Sequence, residues 1–242
     1  MKAGDTMSPN MRTALVTGAS RGIGRAIAEE LSRRGWAQFL VAQHPDALST
    51  ASSTIANVVG TYAVDLGTGD AAAEAVRRAV EQVAPRLDLL VLNAGIFVEG
   101  SLESTDETAF RRNMSVNLDA NVFLVKRLID LLRAGISPRV VLIGSTAAYE
   151  AYPLVPTYGI AKWALRGFAL NLRSELVSSK IGVTLLSPGG TLTDMWGGED
   201  LPPGRLLEPR DVAIMVAALT DLSPQAVVDE LIIRPLLGDI HE

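Results

Sequence analysis

Tyr158 and Lys162 stand four residues apart and Ser145 precedes Tyr158 by thirteen, so this chain carries a phenol, an ammonium and a hydroxyl that together can move a proton without histidine. Residues four apart on a helix share one face, and the stretch 157–179 has few helix breakers. A free phenol titrates near ~10 and carries protons poorly at neutral pH, but an adjacent ammonium stabilises the phenolate and lowers that value. The expectation is a Tyr158 of depressed pKa acting as general acid or base. Ser145, in the turn after the apolar run 140–144, would hold the oxygen that Tyr158 protonates. A Tyr-x-x-x-Lys spacing also arises by chance in many helices, so the surrounding elements must decide its meaning.

The run 13–24 reads as strand, glycine turn and helix start. Ala14, Leu15 and Val16 suit a buried parallel strand, residues 25–34 carry helix formers, and Gly18, Gly22 and Gly24 lie between them. Gly18 permits a tight turn, Gly22 a close backbone approach to phosphate, and Gly24 close helix–strand packing, with a pyrophosphate resting on the helix N-terminus. The spacing Gly-x-x-x-Gly-x-Gly differs from the Gly-x-Gly-x-x-Gly dinucleotide form, and no Gly-Lys-Ser/Thr ending makes it a triphosphate loop. A tight turn without a ligand is the plain alternative.

Composition narrows the chemistry further. A chain of 242 residues can form one domain of α/β type, here taken as 12–242 after a loose polar tail at 1–11. The formal net charge of −5 offers no broad basic surface, which disfavours nucleic-acid binding. Cysteine is absent, so disulfides, a cysteine nucleophile and a thiolate zinc site are excluded, and no metal site is expected. The two histidines, His44 and His241, are poorly placed for a catalytic dyad. No signal peptide or membrane-spanning run is visible, so a cytoplasmic location without a membrane partner is expected.

Strand and helix patterns alternate along the chain. Strands are expected at 13–17, 38–42, 60–64, 87–92, 139–143, 182–186 and 230–233, mostly as continuous apolar runs covered on both faces. Helices are expected at 22–34, 45–58, 70–83, 105–134, 157–179 and 209–219. Right-handed crossovers then give an α/β fold: a Rossmann-like, doubly wound parallel sheet of seven strands in a three-layer αβα arrangement. Its order would be 3-2-1-4-5-6 with the seventh added. The Gly- and Pro-rich stretch 187–209 reads as a mobile lid or an ordinary surface loop.

At this point the residues resemble the short-chain dehydrogenase/reductase family, in its shorter single-domain branch, over nearly the whole chain. Its Thr-Gly-x-x-x-Gly-x-Gly pattern is met by Thr17, Gly18, Gly22 and Gly24, and its Asn-Ala-Gly signature by Asn93, Ala94 and Gly95. Asn117, Ser145, Tyr158 and Lys162 match its catalytic tetrad, and Pro188, Gly189 and Thr193 its Pro-Gly-x-x-x-Thr segment. The resemblance implies hydride transfer between a nicotinamide cofactor and a small-molecule carbonyl or alcohol. Tyr158 would give the proton, Ser145 hold the carbonyl oxygen, and Lys162 lower the Tyr158 pKa and bind the ribose hydroxyls. Asn117 would hold a water linking Lys162 to solvent. The implied cofactor site comprises Gly18, Ser20, Arg21, Gly22, Ile23 and Gly24, then Asp65 and Leu66, then Asn93 to Gly95, with Tyr158, Lys162, Pro188, Gly189 and Thr193. Asp65 would accept from the adenine amino group, its rival role being to cap the following helix.

The family's NAD-binding members usually carry an acidic residue at the end of the second strand, where this chain has Ala42, and Arg21 lies where NADP-binding members often place a base. NADP (as NADPH) is therefore favoured, with NAD possible, because Gln43 replaces a second arginine common after that position. The substrate pocket is expected from Ile96, Phe97, Tyr149, Tyr152, Met195 and Trp196, which suit an apolar or aromatic carbonyl compound. Two other readings stand beside the oxidoreductase: a catalytically silent dinucleotide-binding regulator, and a nucleotide-sugar epimerase or dehydratase. The resemblance also implies a homodimer or homotetramer formed through 105–134 and 157–179, with Trp163, Leu165, Phe168 and Leu172 as apolar content. The ending 234–239 departs from the glycine-rich ending common in the family.

Overall fold

The computed structural model describes residues 11–97, 99–152, 155–194 and 201–239. Apolar runs set the strands: β1 (Thr13–Thr17), β2 (Ala37–Ala42), β3 (Val58–Ala63), β4 (Leu89–Leu92), β5 (Arg139–Ile143), β6 (Gly182–Pro188) and β7 (Glu230–Ile233). Between them run α1 (Gly22–Arg33), α2 (Pro45–Thr54), α3 (Asp70–Glu81), α4 (Glu107–Met114), α5 (Ala120–Arg133), α6 (Pro156–Leu176) and α7 (Pro209–Leu219). The strands form one sheet in the order β3-β2-β1-β4-β5-β6-β7, every pairing parallel. The doubly wound order expected from the sequence is thus found. The order reverses between β1 and β4, which opens a crevice beyond their carboxyl ends.

Alternate residues of each strand serve opposite cores. Leu15, Val41, Leu90, Leu142 and Leu185 pack with α3, α5 and α6 on one face, while Ala14, Val16, Leu40, Val91 and Val141 pack with α1, α2 and α7 on the other. β1, β2, β4 and β5 are buried throughout, as continuous apolar runs require. The edge strands β3 and β7 are only partly buried, so two-sided covering does not extend to them. Among the described residues no helix is long and apolar enough to cross a membrane.

Several ends move by up to three residues, as where the helix expected at 157–179 ends at Leu176 and the strand expected at 60–64 is Val58–Ala63, and three expected elements differ more. The helix at 45–58 stops at Thr54, because Ile55 is already extended and Asn57 takes a left-handed backbone (φ 60°) that turns the chain into β3 at Val58. The single helix at 105–134 is two helices joined by a π-helical turn at Ser115–Asp119. A 3.6-residue apolar rhythm cannot register one widened turn. In the stretch 187–209, β6 runs on to Pro188 and Thr191 bridges Leu207, while 195–200 lie outside the described residues.

Candidate active site

The turn after β1 is built by the absence of side chains. Gly18 (φ 65°) and Gly22 (φ 53°) take left-handed backbones, and a Cβ on Gly24 would collide with the Gly18 carbonyl oxygen. Asn93, just past β4, ties this turn to its neighbour: its Nδ2 donates to the Thr17 carbonyl (2.9 Å), and Thr17 Oγ1 accepts from the amides of Asn93 (2.9 Å) and Ala94 (3.0 Å). No side chain among the described residues caps the α1 N-terminus. Its amides and the positive end of its dipole therefore face the crevice, and the glycine cradle fits a pyrophosphate. Ser20 and Ile23 are partly buried, whereas Arg21 is exposed and pairs with Asp194 at 3.4 Å. Thr193 closes over the turn: a Cβ on Gly22 would lie 3.1 Å from its Cγ2.

α6 presents Tyr158 and Lys162 one turn apart. Lys162 is 5% exposed; its Nζ donates to the Ile143 carbonyl at the end of β5 (3.1 Å) and lies 5.5 Å from the Tyr158 ring centre. Ser145 begins the 3-10 turn Thr146–Ala148, accepting from the Ala147 amide (3.1 Å), and also hydrogen-bonds Tyr158. Part of Tyr158 is solvent-accessible, yet protein packs around it closely enough that desolvation pushes its pKa up to about 12, the Ser145 hydrogen bond working in the opposite direction. Burial lowers Lys162 to about 8. The expected depression of Tyr158 is thereby reversed in this structure. Burial penalises the charged form of both groups, and the ammonium is spent on the Ile143 carbonyl rather than on the phenol.

Asn117 sits in the π-helical turn, 1% exposed. Its amide grips the backbone of Ile96 from both sides, Nδ2 donating to the carbonyl (2.9 Å) and Oδ1 accepting from the amide (3.2 Å). Nδ2 also donates to Asn113 Oδ1 (2.6 Å), Asn113 Nδ2 to the Thr157 carbonyl (2.6 Å), and Asn121 Nδ2 to the Asn117 carbonyl (2.8 Å). A ladder of two amides, Asn117 and Asn113, thus joins the loop after β4 to the residue preceding Tyr158, with Asn121 braced against the Asn117 backbone. Asn113 was not among the expected site residues. Its signal was there in Asn-x-x-x-Asn-x-x-x-Asn, which puts three amides on one face of a helical stretch.

Not every expected residue takes its expected place. Asp65 adopts the rival role: Oδ1 accepts from the Gly67 amide (2.9 Å) at the start of the 3-10 turn Leu66–Thr68 and pairs with Arg112 (2.9 Å). Burial alone would raise its pKa, but these two partners lower it. The Leu66 side chain lies in the core. Phe97 meets the Tyr158 ring edge-on at 5.2 Å. Tyr149 and Tyr152 turn their hydroxyls to the chain's later residues instead. Tyr149 donates to Glu230 Oε1 (2.8 Å) under a stacked Arg166, while Tyr152 donates to Asp239 Oδ2 (2.6 Å) and shares a hydrogen bond with Thr146 Oγ1 (3.0 Å). Met195 and Trp196 lie outside the described residues. Pro188 ends β6, and Gly189 packs so closely on the Asp239 carboxylate that a Cβ would clash. Asp239 gave no sequence signal as a site residue: Arg234 is a near neighbour, but the loop partners Gly190 and Tyr152 lie 49 and 87 residues away.

Known proteins share this arrangement. The sequence model described as short chain dehydrogenase matches residues 12–201. The sepiapterin reductase of Chlorobaculum tepidum is 32% identical over 94% of this chain and 98% of its own length. A 3-oxoacyl-(acyl-carrier-protein) reductase of Vibrio cholerae is 32% identical over 89% and 91%. Among solved structures, the RhlG/NADP active-site complex of Pseudomonas aeruginosa superposes with a TM-score of 0.85 at 28% identity, covering 96% of this chain and 97% of that one. An alcohol dehydrogenase from Thermococcus sibiricus complexed with 5-hydroxy-NADP gives 0.84 at 27%, covering 93% and 97%. With the family pattern met across most of its length and its site groups gathered at one sheet edge, the chain belongs to the short chain dehydrogenase family of oxidoreductases.

Proposed function

We propose that the protein interconverts an apolar or aromatic carbonyl compound and its alcohol with a nicotinamide dinucleotide, NADPH in preference to NADH. The observation that carries this reading is the convergence of Ser145, Tyr158 and Lys162 beside a glycine cradle and an uncapped helix N-terminus. The bound nicotinamide supplies or accepts the hydride. In the reduction direction Tyr158, protonated at neutral pH, gives its phenolic proton to the carbonyl oxygen, which Ser145 holds by hydrogen bonding; the carbonyl carbon gains the hydride and the oxygen the proton. Lys162, with a pKa of about 8, is still mostly an ammonium at pH 7 and is placed to hold ribose hydroxyls and to return a proton towards Tyr158. Gly95 supports a relay through Asn117: a Cβ there would lie 2.8 Å from Asn117 Oδ1 and 3.9 Å from Lys162 Nζ, so both groups reach one small space.

NADPH is favoured because β2 ends at Ala42, which brings no carboxylate towards a ribose, and because exposed Arg21 is free to exchange a weak exposed pair with Asp194 for a 2′-phosphate. The relatives solved with NADP point the same way. The substrate class rests on Phe97 against Tyr158, with the hydroxyls of Tyr149 and Tyr152 turned away to carboxylates. A homo-oligomer is supported by the exposed stripe Ile160, Trp163 and Leu170 on α6, continued by Val177 at its C-terminal cap; of the residues first considered, Leu165 and Leu172 are instead core. The test is a panel of carbonyl compounds followed by NADPH absorbance, with fluorescence titration of both reduced cofactors. Turnover by the wild type that falls at least about a hundredfold in Tyr158→Phe, with cofactor affinity kept, is expected. Tight cofactor binding without any turnover would favour a silent regulator, and tighter binding of NADH would overturn the cofactor preference.

A further inference from the structure

Asp239 comes from beyond the last strand yet ends, 3% exposed, among the loops at the carboxyl edge of the sheet. Its Oδ1 accepts from the Gly190 amide (3.3 Å) just past Pro188 and Gly189. Its Oδ2 accepts from Tyr152 (2.6 Å) and pairs with Arg234, which also pairs with Glu150. Arg205, on the return of the loop after β6, donates to the backbone carbonyls of Gly238 (2.7 Å) and Asp239 (2.8 Å). One carboxylate therefore joins the loop after β5, the loop after β6 and the chain's own late segment. These are the loops that flank Ser145 and Tyr158 on one side and the Pro188–Gly189 edge of the cofactor crevice on the other.

Resting on the oxidoreductase reading above, we propose that Asp239 is a positioning residue for hydride transfer, fixing the loop after β6 so that the cofactor ring it borders faces the Ser145 and Tyr158 side of the crevice. The chemistry of the site explains why a carboxylate is needed. Gly190, Tyr152 and Arg234 all bring donors, and only a group with acceptors on both arms can satisfy them. An amide at this position must turn its own N–H towards either the Gly190 amide or the Arg234 guanidinium, and neither can accept. Its bonds run to loops rather than to the sheet, so the loss is one of aim more than of fold. Hydride transfer is sensitive to small displacements of the donor from the acceptor carbon. The ion pair of Arg173 with Asp229 ties α6 to the residue before β7, at the opposite end of that strand from Asp239, and serves as the control.

The test compares Asp239→Asn, the milder Tyr152→Phe, and Asp229→Asn as control, in the full chain. In Asp239→Asn, hydrogen exchange of the amides within 188–194, from Gly189 onward because Pro188 has no N–H, should rise at least about tenfold while those of 182–187 hold. With cofactor and a turned-over carbonyl compound, kcat should fall about tenfold or more. The primary isotope effect from 4-deuterated NADPH should rise, and cofactor affinity should change less than about threefold. Tyr152→Phe should move the same readouts in the same direction by less, and it carries the test if Asp239→Asn fails to fold. Wild-type exchange at 188–194 in both variants, or a kcat and isotope effect equal to those of Asp229→Asn, would overturn the proposal. A wild-type protein without turnover on any carbonyl compound would instead sink the oxidoreductase reading, while the exchange arm still decides whether Asp239 holds the loop.

Discussion

A buried ammonium without a carboxylate beside it is a thermodynamic liability, and among the described residues Lys162 is one. Its pKa falls from 10.5 to about 8, so below pH 8 both folded and unfolded chains hold the proton and the burial penalty is in full force. Between pH 8 and 10 the folded chain releases its proton first, and stability rises by up to about 3 kcal/mol. Tyr158 leaves that window untouched, because its ordinary value of 10 and its raised value of about 12 both lie at or above its upper end. Cofactor-free Lys162→Met should therefore melt higher than wild type at pH 7, with the advantage fading towards pH 10. A difference that does not vary with pH would contradict a charged Lys162. The residue types and their spacing were legible in Tyr-x-x-x-Lys and the upstream serine; the direction of the Tyr158 shift was not. Spacing reports which groups meet, whereas a pKa depends on everything that displaces water around them.

At the scale of elements, the glycine turn and the amide ladder do the positioning, and they tolerate change differently. A Cβ at Gly24 would meet the Gly18 carbonyl and lie 2.5 Å from Asn93 Nδ2, both held by the Thr17 and Asn93 network. Gly24→Ala should cost about 1–3 kcal/mol in urea unfolding and weaken NADPH binding at least about tenfold. Wild-type affinity in that variant would show that the cradle does not hold the cofactor. Asn117→Ala strips both hydrogen bonds from the Ile96 backbone and leaves Asn113 Oδ1 without its donor. A loss of about 2–4 kcal/mol is expected from the unsatisfied groups, read by the same unfolding measurement. Buried apolar strands such as β1 and β5 stood out in the sequence because their runs are short, continuous and bounded by turn residues. The π-helical turn did not, since the side-chain bonds of Asn117 and Asn113 around it reach Ile96 in the loop after β4 and Thr157 at the start of α6, both distant in sequence.

For the whole molecule, strand order followed from alternation and crossover handedness, while the ties made by Glu230 and Asp239 stayed hidden because they reach Tyr149 and Tyr152 across 81 and 87 residues. If the crevice takes NADPH, the cofactor at a hundred times its dissociation constant adds about 2.7 kcal/mol to the folded state. In a domain of this size that is a rise in Tm of roughly 5–10 °C, measurable by calorimetry; an unmoved Tm would count against the site. The grip of Asn117 on Ile96 has a practical meaning for redesign. Backbone up to Ile96 is bolted to the helical stretch that also holds the residue before Tyr158, whereas Phe97, 40% exposed, begins the surface proposed to meet the substrate. A library that varies selectivity should start at Phe97, because one residue earlier it would be rewriting the chassis instead of the tool.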